Sequence, residues 1–136
     1  MIFVDTSFWI AFRDERDTHH QRAKELMKEF FAARVQLAIT DHIFAETHAY
    51  FVRSVPKRLQ IMRDLLENPV VVVHSIDRRD REQALSWLTE YDDKAWSLVD
   101  AMSFALIHRQ KIPAAVSFDQ HFDQHFGQQG GFRHIC

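Results

Sequence analysis

Short apolar runs in this chain stop at acidic or turn-forming residues, and amphipathic stretches lie between them. Residues 2–4 are apolar and end at Asp5, which reads as a buried first strand. Residues 7–12 follow as a short helix. Residues 17–33 carry Ala23, Leu26, Met27, Phe30 and Phe31 at helical spacing, with Asp17 and Thr18 as cap candidates. Residues 36–39 suit a second strand, and Thr40 and Asp41 suit the N-cap of a helix reaching about Ser54. Pro56 fits the first turn of the next helix, which runs to about Glu67 and stops at Asn68-Pro69. Four consecutive valines, residues 70–73, predict a strand covered on both faces. Helices are then expected over residues 77–91 and 97–110, a short strand over 114–116, a helical turn over 121–126, and a last strand over 132–135 after Gly130-Gly131.

Strands that alternate with helices imply a mostly parallel sheet flanked by helices, in which ligands bind beyond the carboxyl ends of the strands. A length of 136 residues suits one domain spanning residues 1–136. The formal net charge of -2 argues against non-specific coating of nucleic acid, without excluding a local basic rim. Cys136 is the only cysteine, so no disulfide forms within the chain, which fits a reducing cytoplasm. The N-terminus lacks the pattern of a signal peptide, and no apolar stretch approaches the length needed to span a bilayer.

Four acids change this picture. Asp5 follows the first strand, Glu46 lies about two turns into the helix after the second, Asp100 lies early in its helix, and Asp119 follows the strand at 114–116. Each has an ordinary explanation alone; Ser97-x-x-Asp100, for example, is also a capping box. Taken together, the same fold sends all four to one end of the sheet. Converging carboxylates repel one another, and a divalent cation relieves that repulsion. Mg²⁺ or Mn²⁺ suits oxygen ligands, and such a centre points to chemistry on a phosphate ester. Thr6, Ser7, Ser103 and Ser117 are the nearby hydroxyls expected to orient carboxylates or water, and Arg13 is the nearest candidate for a substrate contact.

The ordered set IFVDTSFWI, TDHIFAE, SLVDAMSFAL and VSFDQHF resembles the PIN-domain ribonucleases of the VapC-like toxin kind, from Ile2 to Phe126. The resemblance implies a three-layer α/β/α sandwich around a central, mostly parallel sheet of four to five strands. It also implies Mg²⁺- or Mn²⁺-dependent hydrolysis of RNA, leaving 5′-phosphate and 3′-hydroxyl ends. By that carry-over Asp5 and Asp100 are metal ligands, Glu46 ligates metal or positions water, and Asp119 is the fourth acid, with Asp123 as a lesser candidate. A cognate antitoxin and a homodimer are implied in the same way, and a free-standing RNA-processing nuclease is the alternative within the family. Many family members have Asn where this chain has Ser7, and serine retains a hydrogen-bond donor there.

Other features point elsewhere. His121-x-x-x-His125 has the spacing of a zinc pair, without the acid of an HExxH helix. Arg53, Lys57, Arg58 and Arg63 suit either phosphate contacts or a solvated face. The many aromatics read as core or interface material. A receiver-like phosphoacceptor domain, which also binds Mg²⁺, needs an aspartate straight after the central strand and a lysine after a late one. This chain has His74-Ser75 and Ser117-Phe118 at those places.

Overall fold

The computed structural model describes residues 1–123 and 132–136. Five strands form one sheet in the order β3-β2-β1-β4-β5, every neighbouring pair parallel. β1 (Ile2–Val4) is central. β2 (Leu37–Thr40) and β3 (Val71–His74) lie on one side of it, β4 (Ala114–Val116) and β5 (Arg133–Ile135) on the other. The helices are α1 (Thr6–Arg13), α2 (His20–Ala32), α3 (Asp41–Tyr50), α4 (Val55–Met62), α5 (Arg78–Glu90) and α6 (Leu98–Gln110). Every residue of β1, β2 and β4 is buried, so alternate side chains are covered on both faces of the sheet. The arrangement is the expected α/β/α sandwich. No helix among the described residues is long and apolar enough to cross a membrane.

The strand order places the site. The chain moves outward from β1 through β2 to β3, then returns to lay β4 against the free edge of β1. Crossovers diverge at that reversal and leave a crevice beyond the carboxyl ends of β1 and β4. Val4 pairs in register with Val116, and the Asp5 amide donates to the Val116 carbonyl at 3.1 Å. Asp5 and Ser117 therefore leave the sheet side by side.

Aromatic packing holds this end rigid. Phe3, Phe8, Phe104 and Phe122 are fully buried. Phe122 stacks on Phe3 at 6.3 Å between ring centroids and meets Phe104 edge-on at 5.0 Å. It thereby ties residues 121–123, which are helical, to the core. Trp9 and Phe51 are buried as well, whereas Phe31 is exposed.

Three local expectations need correction. β3 is only half-buried, because its four residues form an edge strand rather than one covered on both faces. α2 begins at His20, since Asp17 closes a preceding turn: its carboxylate accepts from the His19 amide at 2.8 Å. α3 ends at Tyr50, and Ser54 caps α4 instead of continuing α3. The next helical segment does end at Glu67 as expected, its last turn, Arg63–Glu67, being π-helical. Gly130-Gly131 and the second half of the turn expected at 121–126, with His125 and Phe126, lie outside the described residues.

Candidate active site

Asp5 is the N-cap of α1 and is buried at the end of β1. Its Oδ2 accepts from the Ser7 amide at 3.2 Å, the Ser7 hydroxyl at 2.7 Å and the Ser117 hydroxyl at 2.9 Å. None of these bonds falls on Oδ1. Burial pushes the Asp5 carboxyl up to about 6, against the pull of the Ser7 and Ser117 hydrogen bonds, and the negative charge of Asp100 adds to the rise. The Ser7 hydroxyl also accepts from the Phe118 amide at 3.0 Å, and Ser117 Oγ accepts from the Asp119 amide at 2.9 Å. These two serines lock the end of β1 to the loop after β4. Ser7 thus builds the site itself by holding the Asp5 carboxylate.

Asp100 occupies the first turn of α6 and completes the capping box. It accepts from the Ser97 amide at 3.0 Å, and its own amide donates to Ser97 Oγ at 3.0 Å. Burial raises its pKa, Ser97 opposes the rise, and the Asp119 charge adds to it. The ordinary cap and the cleft acid are one residue. Glu46 stands on α3 at the exposed rim, held by the Thr6 hydroxyl at 2.7 Å. Asp119 follows β4, and its Oδ1 accepts from the His121 amide at 2.9 Å.

Asp5, Glu46, Asp100 and Asp119 line one cleft of about 730 Å³, together with Thr6, Ser7 and His121. His121 is the member that sequence reasoning missed. Its Nδ1 lies 3.3 Å from Asp100 Oδ2 and 3.1 Å from Asp119 Oδ1. Neither contact counts as a hydrogen bond, and the buried Nδ1 has no hydrogen-bond partner among the described residues. Donor atoms of Asp100, Asp119 and His121 all lie within 4.8 Å of one another. An orphaned buried nitrogen facing two carboxylates is costly in an empty cluster and fits a divalent cation. The available signal was the spacing Asp-x-His behind an apolar strand, which the more familiar pairing of His121 with His125 obscured.

Three candidates lie elsewhere. Arg13 points to the other side of α1, where it forms a two-pronged ion pair with Asp64 at 2.6 and 2.8 Å and covers Phe12. Ser103 is buried in the body of α6, with no hydrogen-bond partner among the described residues and no part in lining the cleft. Asp123 pairs with His134, whose Nε2 donates to the Ser117 carbonyl at 2.8 Å. It braces the loop after β4 without lining the cleft. Lys57 is committed to the Arg13 carbonyl and Glu15, each at 2.7 Å. Arg16, Arg53 and Lys57 line a second groove, which shares Tyr50 with the acidic cleft.

A PIN domain family model matches residues 2–125. The chain belongs to the PIN domain family. It is 35% identical over 121 residues to the 23S rRNA-specific endonuclease VapC20 of Mycobacterium tuberculosis, covering 88% of this chain and 89% of that protein. The crystal structure of M. tuberculosis VapC20, described as a sarcin–ricin loop cleaving toxin, superposes with a TM-score of 0.79 at 30% identity, covering 91% of this chain and 94% of the other. A toxin–antitoxin complex from Klebsiella pneumoniae matches with a TM-score of 0.71 at 17% identity, over 100% of this chain and 97% of that one, a likeness of fold alone. PIN membership also disposes of the receiver-like alternative.

Proposed function

We propose that this chain is a metal-dependent endoribonuclease of the VapC toxin type. The observation that carries the reading is the meeting of Asp5, Glu46, Asp100 and Asp119 in one cleft at the switch point between β1 and β4. Asp5, Asp100 and Asp119 are the residues to hold Mg²⁺ or Mn²⁺, with Glu46 at the rim. When bound, a divalent cation there supplies Lewis acidity to a phosphodiester and lowers the pKa of water.

The chain's own groups do the remainder. Ser7 and Ser117 fix the Asp5 carboxylate, so no reorganisation is needed on substrate arrival. Thr6 holds Glu46 at the open side, where it takes the proton of an incoming water. Attack of the water oxygen on phosphorus forms one P–O bond and breaks the bond to the 3′ oxygen, which takes a proton from solvent to leave as a hydroxyl, and the phosphate stays on the 5′ side of the downstream nucleotide. The 2′-hydroxyl is not consumed. Arg53, in the groove that shares Tyr50 with the acidic cleft, offers the RNA backbone a cationic contact, while Arg16 and Lys57 in the same groove are paired with Asp14 and Glu15.

The likeness to VapC20 nominates an exposed ribosomal RNA hairpin of the sarcin–ricin kind as substrate. A cognate antitoxin, encoded beside this chain, and a homodimer belong to the same proposal. The test is cleavage of an end-labelled sarcin–ricin hairpin by purified protein with Mn²⁺, with EDTA, and by Asp100→Asn. Discrete cleavage to 5′-phosphate ends, lost with EDTA and in Asp100→Asn, is expected. Cleavage by Asp100→Asn at the native rate, or 2′,3′-cyclic phosphate products, refutes the assignment. Co-purification with the product of the neighbouring gene tests the partner.

A further inference from the structure

We infer that His121 is a nitrogen ligand of the cation site, alongside Asp100 and Asp119, and that it tilts the site toward Mn²⁺-class ions over Mg²⁺. The inference rests on the metal-dependent reading above and adds a residue and an ion preference to it.

The geometry carries the first half. His121 Nδ1 stands 3.1 Å from Asp119 Oδ1 and 3.3 Å from Asp100 Oδ2. An octahedral ion with bonds of about 2.1 Å holds neighbouring donors about 3 Å apart, so these separations suit adjacent corners of one coordination shell. They do not suit a simple organising hydrogen bond: the nitrogen is sealed from solvent and forms a hydrogen bond with neither oxygen. A ring whose only task was to bridge the two acids would aim a proton at one of them. A shared ion satisfies the nitrogen and both oxygens together.

The ring is also held in place. The His121 amide donates to Asp119 Oδ1 at 2.9 Å, and the next residue, Phe122, is fully buried against Phe3 and Phe104. Asp119 is fixed in turn by its amide bond to Ser117 Oγ at 2.9 Å. His121 and Asp119 therefore stand on one braced turn facing Asp100 on α6, as a preorganised site requires.

The second half follows from donor chemistry. Mg²⁺ favours carboxylate and water oxygen and gains little from imidazole. Mn²⁺ shares that preference for oxygen but stands at the foot of the first-row affinity series, so an imidazole nitrogen in the shell adds more to its binding than to that of Mg²⁺. Replacing His121 should therefore cost Mn²⁺ far more than Mg²⁺.

The experiment titrates metal-free protein with Mn²⁺ and with Mg²⁺ by calorimetry, and records pulsed EPR of the Mn²⁺ complex. It uses the native chain, His121→Ala, His121→Gln and Asp100→Asn, with thermal melts to confirm that each variant is folded. Native protein should show ¹⁴N coupling to Mn²⁺. Both His121 variants should lose it and bind Mn²⁺ about tenfold more weakly, with Mg²⁺ affinity changed less than about threefold. Absence of ¹⁴N coupling in the native complex, or unchanged Mn²⁺ affinity in folded His121 variants, overturns the inference. If Asp100→Asn loses Mn²⁺ while the His121 variants keep it, only the histidine ligand falls. If native protein binds neither ion, or Asp100→Asn binds Mn²⁺ as well as native protein does, the underlying metal site falls with it.

Discussion

Asp5→Asn separates what the acidic cleft costs the fold from what it does for a ligand. In the native chain Asp5 is buried and its carboxyl is pushed up to about 6 from 3.8. At roughly 1.4 kcal/mol per pKa unit, holding that carboxylate ionised at neutral pH costs the metal-free fold about 3 kcal/mol. Asparagine keeps an oxygen to accept from Ser7 and Ser117 while removing the charge. An unfolding entropy of about 2.1 cal/mol/K per residue gives about 0.3 kcal/mol/K for 136 residues. The substitution should then raise the melting temperature in EDTA at pH 7.5 by up to about 10 °C.

The pH dependence has a definite sign. The folded pKa lies above the unfolded one, so the native state binds the extra proton between about pH 4 and 6. Native stability attributable to Asp5 is present below about pH 4, falls as pH rises to about 6, and is flat above that. The difference between native and Asp5→Asn proteins should therefore vanish near pH 4, measured by calorimetric melts in EDTA across this range. Saturating Mn²⁺ should reverse the order by stabilising the native protein and not the variant. A variant that melts lower than native protein at pH 7.5 in EDTA, or a gap independent of pH, would refute the reasoning.

Two further perturbations reach other parts of the site. Phe122→Ala removes a fully buried ring between Phe3 and Phe104 and should cost about 3–5 kcal/mol by chemical denaturation; a loss under 1 kcal/mol would mean that the turn after β4 is not anchored as described. Arg53→Glu places an acid in the groove beside Tyr50 and should raise KM for RNA about three- to tenfold at low salt, with the dependence of log KM on log salt shallower by about 0.7 and kcat within twofold; a fall in kcat at constant KM would place Arg53 in the chemistry instead.

Much of the fold was legible because its strand ends carry local marks. Asp5 breaks an apolar run, Thr40 caps α3 through a bond to the Ile43 amide at 3.1 Å, and Ser97 with Asp100 forms the box that starts α6. Each mark involves neighbours a few residues apart, which is the range over which sequence pattern speaks directly. The valine run was read correctly as a strand and wrongly as a covered one, because a strand's place in the sheet order is set by crossovers and not by its own residues. Arg13 stands eight residues after Asp5, yet its partner Asp64 is 51 residues further on, and no local pattern announces that pair. Ser103 failed for a related reason: α6 runs through the core, and one turn past Asp100 the helix is already covered, so Ser103 is buried and does not line the cleft.

The two serines show how local and distant information combine. Ser7 lies two residues from Asp5 and bonds it as a helix-start residue should. Ser117 lies 112 residues away and reaches the same oxygen only because β4 was laid against β1 in register. The carboxylate is thus gripped from both sides of the switch point. A slip of the β1–β4 pairing by one residue would flip the alternation of side chains, withdraw Ser117 from Asp5 and carry Asp119 and His121 away from Asp100. The geometry of the acidic cleft is therefore a consequence of strand register, and the fully buried faces of β1 and β4 are what hold that register fixed.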